Sequence, residues 1–267
     1  AWRSFGFFAP FFAFFDMSEP LSGKTAFISG GSRGIGRATA LKLAAAGCDV
    51  AILYYNSHEE SEAVCELIRG MGRRALAVQA DVSNPGSVEE AFVEFQKEFD
   101  RVDFVISNAA LGVLKPALEM SLKHFRRCME TNALALNTLA QNAVPMMNAG
   151  GSIIGLTSLG SERAIPNYTF IGASKAALEA LARGLAQELG PRGIRVNCVS
   201  AGVVDTDALK HFPNREHLLA EYETRTPLGP TLSPEQVADA IYLLCLPEAA
   251  MITGHTLFVD GGYAISG

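Results

Sequence analysis

The sequence predicts an α/β domain of the doubly wound kind: a parallel sheet of about seven strands with helices on both faces. Two observations predict it. From Lys24 onward, short and nearly continuous apolar runs alternate with longer amphipathic stretches, and strands buried on both faces need that composition. The first apolar run also feeds through a glycine cluster straight into a helix-forming stretch. In such sheets that junction is where phosphates bind.

In chain order, Thr25–Ser29, Asp49–Tyr54, Ala75–Gln79, Val102–Ile106, Ser152–Leu156, Ile194–Val199 and Thr256–Val259 read as strands, each short and rich in apolar or β-branched residues. Gly34–Ala46, Glu59–Gly70, Ser87–Phe99, Leu122–Met147, Phe170–Leu189 and Pro234–Leu246 read as helices. Asp205–Leu232 breaks the rhythm. It is polar, holds Pro213, Pro227 and Pro230, and is long enough to form a short helical lid over a ligand, expected to be mobile. No internal repeat, charge block or linker interrupts residues 17–267, so one domain is expected there.

Of 267 residues, 49% are hydrophobic and 19% charged, enough to bury a core without covalent staples. The net charge of −6 argues against a general nucleic-acid binder. Cys48, Cys65, Cys128, Cys198 and Cys245 are scattered singly, which favours reduced thiols in a cytoplasmic protein over disulfides or a metal site. The first sixteen residues stand apart, with seven phenylalanines and the only tryptophan, Trp2. They are too short for a membrane span. Met17 looks like a natural start, so residues 1–16 are expected to be a non-native extension outside the fold, with a membrane-surface anchor or a subunit contact as the alternatives.

The glycine cluster reads Gly30-Gly31-Ser32-Arg33-Gly34-Ile35-Gly36. Glycines here let the backbone turn sharply and approach a pyrophosphate, whose charge suits the helix N-terminus that follows. The spacing is Gly-x3-Gly-x-Gly, and after the first strand of a βαβ pattern it predicts a Rossmann-type dinucleotide site. A carboxylate ending the second strand would hold the adenosine ribose and favour NAD. Leu53-Tyr54-Tyr55-Asn56-Ser57 stands there instead, with no acid until Glu59, while Arg33 can offer a cation to a 2′-phosphate. NADPH is therefore the expected cofactor.

With these residues placed, the chain resembles the short-chain dehydrogenase/reductase superfamily over roughly residues 20–264. After the glycine turn come Asp81-Val82, which in that family contact the adenine, and Asn108-Ala109-Ala110, similar to its Asn-Ala-Gly segment. Asn132 stands where the family has a supporting asparagine. Ala201-Gly202 with Val204 and Thr206 resembles the segment that holds the nicotinamide, and Val259-Asp260-Gly261-Gly262 is also family-like.

The catalytic motif departs from most members. The usual Tyr-x-x-x-Lys would need tyrosine at 171, where Ile171 stands, but Tyr168 lies seven residues before Lys175. Ser158 keeps its register seventeen residues before the lysine. Tyr-x6-Lys is the pattern of enoyl-[acyl-carrier-protein] reductases, and the closer resemblance is to the type III (FabL-like) enzymes. It rests on Ser158–Ser161, Asn167–Thr169, Ser174–Leu181 and the polar stretch Asp205–Glu216. The resemblance implies NADPH-dependent reduction of the trans-2 double bond of an acyl thioester in fatty-acid elongation. It also implies an acyl carrier protein or coenzyme A thioester as partner, and a homotetramer or dimer packed through the apolar stretches Ala133–Met147 and Ala176–Leu189.

On a helix, seven residues place the phenol about one turn, roughly 5 Å, further along the axis than four would. In an unsaturated thioester, hydride adds to C3 while charge develops on the thioester oxygen, so a displaced phenol stands where the charge appears. Tyr168 is assigned to that oxygen and Lys175 to the nicotinamide ribose and to a positive charge near the phenol. Ser158 either binds substrate oxygen or caps a strand end; Asn132 either positions water or braces a helix. Lys123, His124, Arg126 and Arg127, with Lys210, His211 and Arg215 on the lid, are candidates for receiving an acidic carrier protein. Two alternatives stay open: a carbonyl or alcohol oxidoreductase, for example on 3-ketoacyl thioesters, and a catalytically silent NADP-binding sensor.

Overall fold

Seven parallel strands form one sheet in the computed structural model, which describes residues 19–204, 206, 215–229 and 231–266. They are β1 Thr25–Ser29, β2 Asp49–Tyr54, β3 Ala75–Gln79, β4 Phe104–Ser107, β5 Ser152–Ser158, β6 Arg195–Ala201 and β7 Thr256–Val259, in the order β3-β2-β1-β4-β5-β6-β7. Order runs outward in both directions from the centre, so the connections after β1 and β4 leave toward opposite edges. A crevice opens between them at the carboxyl ends of the strands.

The helices are α1 Gly34–Ala45, α2 His58–Gly70, α3 Pro85–Glu98, α4 Leu122–Met129, α5 Ala135–Ala143, α6 Thr169–Leu189, α7 Arg215–Arg225 and α8 Pro234–Cys245. Side chains alternate across each strand, so β1 serves two cores. Ala26 and Ile28 pack with α1, α2 and α8, whereas Phe27 faces α3, α5 and α6. On that second face Phe27 stacks on Phe92 (centroids 4.2 Å) and meets Phe95 edge-on at 5.2 Å.

Several element bounds shift, and α2 and α3 begin one and two residues earlier than expected, at His58 and Pro85. The strand expected at Val102–Ile106 starts two residues later, because Asp103 turns its carboxylate to Lys24 Nζ and the Thr25 amide, both at 3.0 Å. The fifth and sixth strands run on to Ser158 and Ala201, which pair with each other. The helix expected at Leu122–Met147 is broken into α4, a π-helical turn at Glu130–Leu134, α5 and a 3₁₀ turn at Val144–Met146. The π turn carries Asn132, and the last turn contains Pro145, which cannot continue the i→i−4 bonds. Finally, α6 begins at Thr169, not Phe170.

Among the described residues no helix is long and apolar enough to cross a membrane. All five cysteines are buried and unpaired. The aromatic first sixteen residues lie outside the described part, as do 205, 207–214 and 230 of the expected lid. The lid segment does include a helix, α7. Its Tyr222, 1% exposed, donates to the Asp260 carbonyl at 2.7 Å and stacks on Tyr263.

Candidate active site

A cavity of about 830 Å³ occupies the crevice, from the turn after β1 to the end of β5 and the start of α6. Its end at the turn after β1 is lined by Gly30, Ser32, Arg33, Gly34 and Ile35. Gly30 sits at φ +66°, a left-handed conformation that glycine adopts without strain. Gly36 does not border the cavity. A Cβ there would lie 2.1 Å from the Gly30 carbonyl oxygen, so its bare Cα lets α1 close onto the turn. Asn108 holds the turn from the other side, its amide donating to the Ser29 and Gly30 carbonyls, each at 3.0 Å. A Cβ added at Gly34 would meet the Thr206 methyl at 3.4 Å, and Thr206, Gly202 and Val204 border the cavity on this side.

The first turn of α1 has no acidic residue, and exposed Arg33 is its N-cap. The N-terminus of α1, with its free N–H groups and dipole, and the cationic Arg33 therefore border the same end of the cavity. Toward the sheet edge, Tyr55, Asn56 and Ser57 border the cavity after β2, without a carboxylate in that stretch. Asp81 and buried Val82 lie beside them; the Asp81 carboxylate accepts from the Ser83 amide (2.9 Å) and hydroxyl (2.6 Å). Glycines that admit close backbone approach, a helix N-terminus and a polar end wall are a set that fits a phosphorylated dinucleotide.

At the other end stand Ser158, Tyr168 and Lys175. Ser158 closes β5, and its hydroxyl lies 3.2 Å from that of Tyr168. Tyr168 is not inside the helix, as its spacing suggested. It is the N-cap of α6, at φ −110° and ψ 5°, and its carbonyl accepts the first helical bond from Gly172 at 2.7 Å. The preceding Asn167, at φ 61°, turns the chain just before the helix and delays its start. Ile171 lies within the first turn, 8% exposed and outside the cavity wall. It fills the space over Gly112, where a Cβ would come within 2.2 Å of its Cδ1.

Lys175 is 6% exposed and donates to the Leu156 carbonyl at 2.7 Å. Burial brings its pKa down to about 8, partly opposed by Cys198, Cys128 and Glu179. One N–H is used on Leu156, leaving two donors for a ligand. Burial pushes the Tyr168 phenol up, and the Ser158 hydrogen bond opposes this. The phenol is thus a neutral donor at neutral pH.

Asn132, expected as a catalytic residue, does not border the cavity. Its Oδ1 accepts from the Leu111 amide at 2.7 Å, and its Nδ2 donates to the Leu111 carbonyl and the Ser174 hydroxyl, both at 2.9 Å. Every polar atom of this side chain is spent on bracing the loop after β4 against α6.

Sequence reasoning missed much of the outer wall. Arg163, Glu221, Tyr222, Arg225 and Tyr263 all border the cavity, and nothing in their local pattern marks them. Of the basic docking candidates, Arg127 reaches the cavity, and His124 Nδ1 accepts from the Ser121 amide at 3.2 Å in a helix cap. Lys123 and Arg126 are exposed. Lys210, His211 and the Arg215 side chain lie outside the described residues.

The family model described as enoyl-(acyl carrier protein) reductase matches residues 30–264. The chain belongs to this family of short-chain dehydrogenases/reductases. It is 36% identical over 244 residues to 1-cyclohexenylcarbonyl-CoA reductase of Streptomyces collinus, covering 91% of this chain and 87% of that one. It is 33% identical to a hydroxynaphthalene reductase of Aspergillus fumigatus, covering 88% and 90%. A crystal structure of a short-chain dehydrogenase from Burkholderia cenocepacia J2315 in complex with NADP superposes with a TM-score of 0.86 at 34% identity, covering 92% of this chain and all of that one. Gly30, Ser32, Arg33, Gly34, Ile35, Ser158 and Lys175 all border the cavity, while Ile171 does not.

Proposed function

We propose that the protein is an NADPH-dependent reductase of α,β-unsaturated acyl thioesters, with Tyr168 as the group that steadies the enolate oxygen. The observation that carries this reading is the placement of the phenol. Tyr168 borders the cavity beside Ser158 and Lys175, while residue 171 is an isoleucine buried outside it. NADPH, when bound, supplies a hydride to C3 of the substrate. Gly30, Ser32, Arg33, Gly34, Ile35 and the α1 N-terminus would hold its phosphates, with Asn108 and Thr206 beside that turn. Arg33 would favour the 2′-phosphate, and Gly202 and Val204 would line the way to the nicotinamide. Lys175 offers its two remaining donors to the ribose. Charge then develops on the thioester oxygen, and the neutral Tyr168 hydroxyl donates a hydrogen bond to it. C2 takes its proton from that phenol or through solvent.

Two further observations support the substrate class. The Streptomyces relative is named for a thioester whose carbonyl is conjugated to a ring double bond. Arg127 and Arg163 border the cavity mouth, where a pantetheine phosphate of coenzyme A or of an acyl carrier protein would need cations. Assembly as a homotetramer or dimer, and a role in fatty-acid elongation, belong to the same proposal.

One observation favours a second reading. The Ser158–Tyr168 pair, 3.2 Å apart, could equally bind the oxygen of a ketone. Following NADPH absorbance with crotonyl and acetoacetyl thioesters side by side separates the two. Oxidation with crotonyl thioester alone is expected; turnover of acetoacetyl thioester alone would transfer the assignment to carbonyl reduction. Tyr168→Phe should lower kcat by about 10²-fold or more while leaving NADPH affinity intact.

A further inference from the structure

Beneath the phenol lies a glycine that its own backbone does not require. Gly160 belongs to the 3₁₀ turn Leu159–Ser161 that follows β5, and its φ is not in the left-handed region. Space is what excludes a side chain. A Cβ at 160 would stand 2.6 Å from both Cδ1 and Cε1 of the Tyr168 ring, far inside ordinary contact. Gly172, in the first turn of α6, repeats the pattern from the opposite side, since a Cβ there would lie 2.5 Å from the Gly160 carbonyl oxygen. Glycine in a helix costs about 1 kcal/mol relative to alanine. The helix accepts that cost where its backbone rests on Gly160. The result is a stack: the first turn of α6 on the Gly160 carbonyl, and the Tyr168 ring on the Gly160 Cα.

We propose that Gly160 is a positioning residue for the reaction. Its bare Cα is the seat of the Tyr168 ring, and it lets the hydroxyl reach Ser158 from the helix cap instead of from position 171. This rests on the reading above, in which the Tyr168 hydroxyl carries the chemistry. A methyl at 160 forces the ring back by roughly 1 Å to regain contact distance, a displacement that costs about 10²-fold when it moves a reacting group.

A double-mutant cycle on the full chain tests this, with crotonyl thioester turnover, NADPH dissociation constants and thermal midpoints as readouts. Gly160→Ala should lower kcat by about 10-fold or more while NADPH affinity stays within about twofold. In a Tyr168→Phe background the same change should move kcat by less than about twofold. Equal losses in both backgrounds, or unchanged kcat in Gly160→Ala beside an inactive Tyr168→Phe, would overturn the positioning role alone. A fully active Tyr168→Phe would sink the functional reading instead. Should Gly160→Ala fold poorly, Gly160→Ala combined with Tyr168→Ala decides the matter. With the ring gone, the alanine should no longer lower the thermal midpoint relative to Tyr168→Ala, and a double variant that falls below Tyr168→Ala by as much as Gly160→Ala falls below the parent rejects the seat.

Discussion

Lys175 is where burial does the most chemical work. Its ammonium is enclosed, bonded to Leu156, and brought down to about 8 chiefly by desolvation. Above that pH the free enzyme loses the positive charge assigned to hold the ribose and aid the phenol. The value of kcat/KM for NADPH should therefore fall on the alkaline side with an apparent pKa near 8. In Lys175→Arg the charge persists, and the alkaline limb should move up by more than one pH unit, about tenfold in proton concentration. A limb unmoved by that substitution would assign it to another group. The same depression has a sign for stability. Between about pH 8 and the ordinary lysine range the unfolded chain holds more protons than the folded one, so this residue's contribution rises with pH across that window. The Tyr168 pKa moves upward, so the phenol remains a proton donor throughout the working range.

Among the elements, the broken helix between Leu122 and Met146 is the most informative. The π turn at Glu130–Leu134 turns Asn132 inward, where it bonds both backbone groups of Leu111 and the hydroxyl of Ser174. One side chain thereby fixes the loop after β4 relative to α6, the helix carrying Lys175. Asn132→Ala leaves the Leu111 amide and carbonyl without these partners, and should cost on the order of 3 kcal/mol, read as a lower urea midpoint. A variant with an unchanged midpoint would argue against the brace and return Asn132 to solvent positioning. The spacing of apolar residues predicted a helix here, and the helical character was legible. The extra residue in the turn was not, since the side chain that it turns inward bonds a residue 21 positions away. The same holds for Tyr168. Seven-residue spacing to Lys175 suggested a shared helix face, but Asn167 at positive φ sets the tyrosine at the cap, and the seat at Gly160 decides where its ring rests.

The molecule as a whole is a sheet with a core on each face, and its site lies where the two directions of winding part. Phe27 at the centre of β1, with Phe92 and Phe95 on α3, anchors one core. Phe27→Ala should cost about 3–5 kcal/mol, seen as a lower urea midpoint at an unchanged slope. A smaller loss would mean that the α3 aromatics collapse into the cavity. Both cores converge on the turn after β1, since Ser29 and Gly30 are tied by Asn108 to the end of β4. The alternation of strands and helices and the glycine turn were legible in the chain because they depend on neighbours within a few residues, while the seventeen-residue register of Ser158 with Lys175 was legible only through the resemblance to the family. Tertiary structure alone decided that Ile171 turns away while Tyr168 faces the cavity, that Asn132 braces instead of lining it, and which arginines ring its mouth. Those outcomes depend on contacts between chain segments far apart in order, where close packing permits one arrangement and local periodicity carries no record of it.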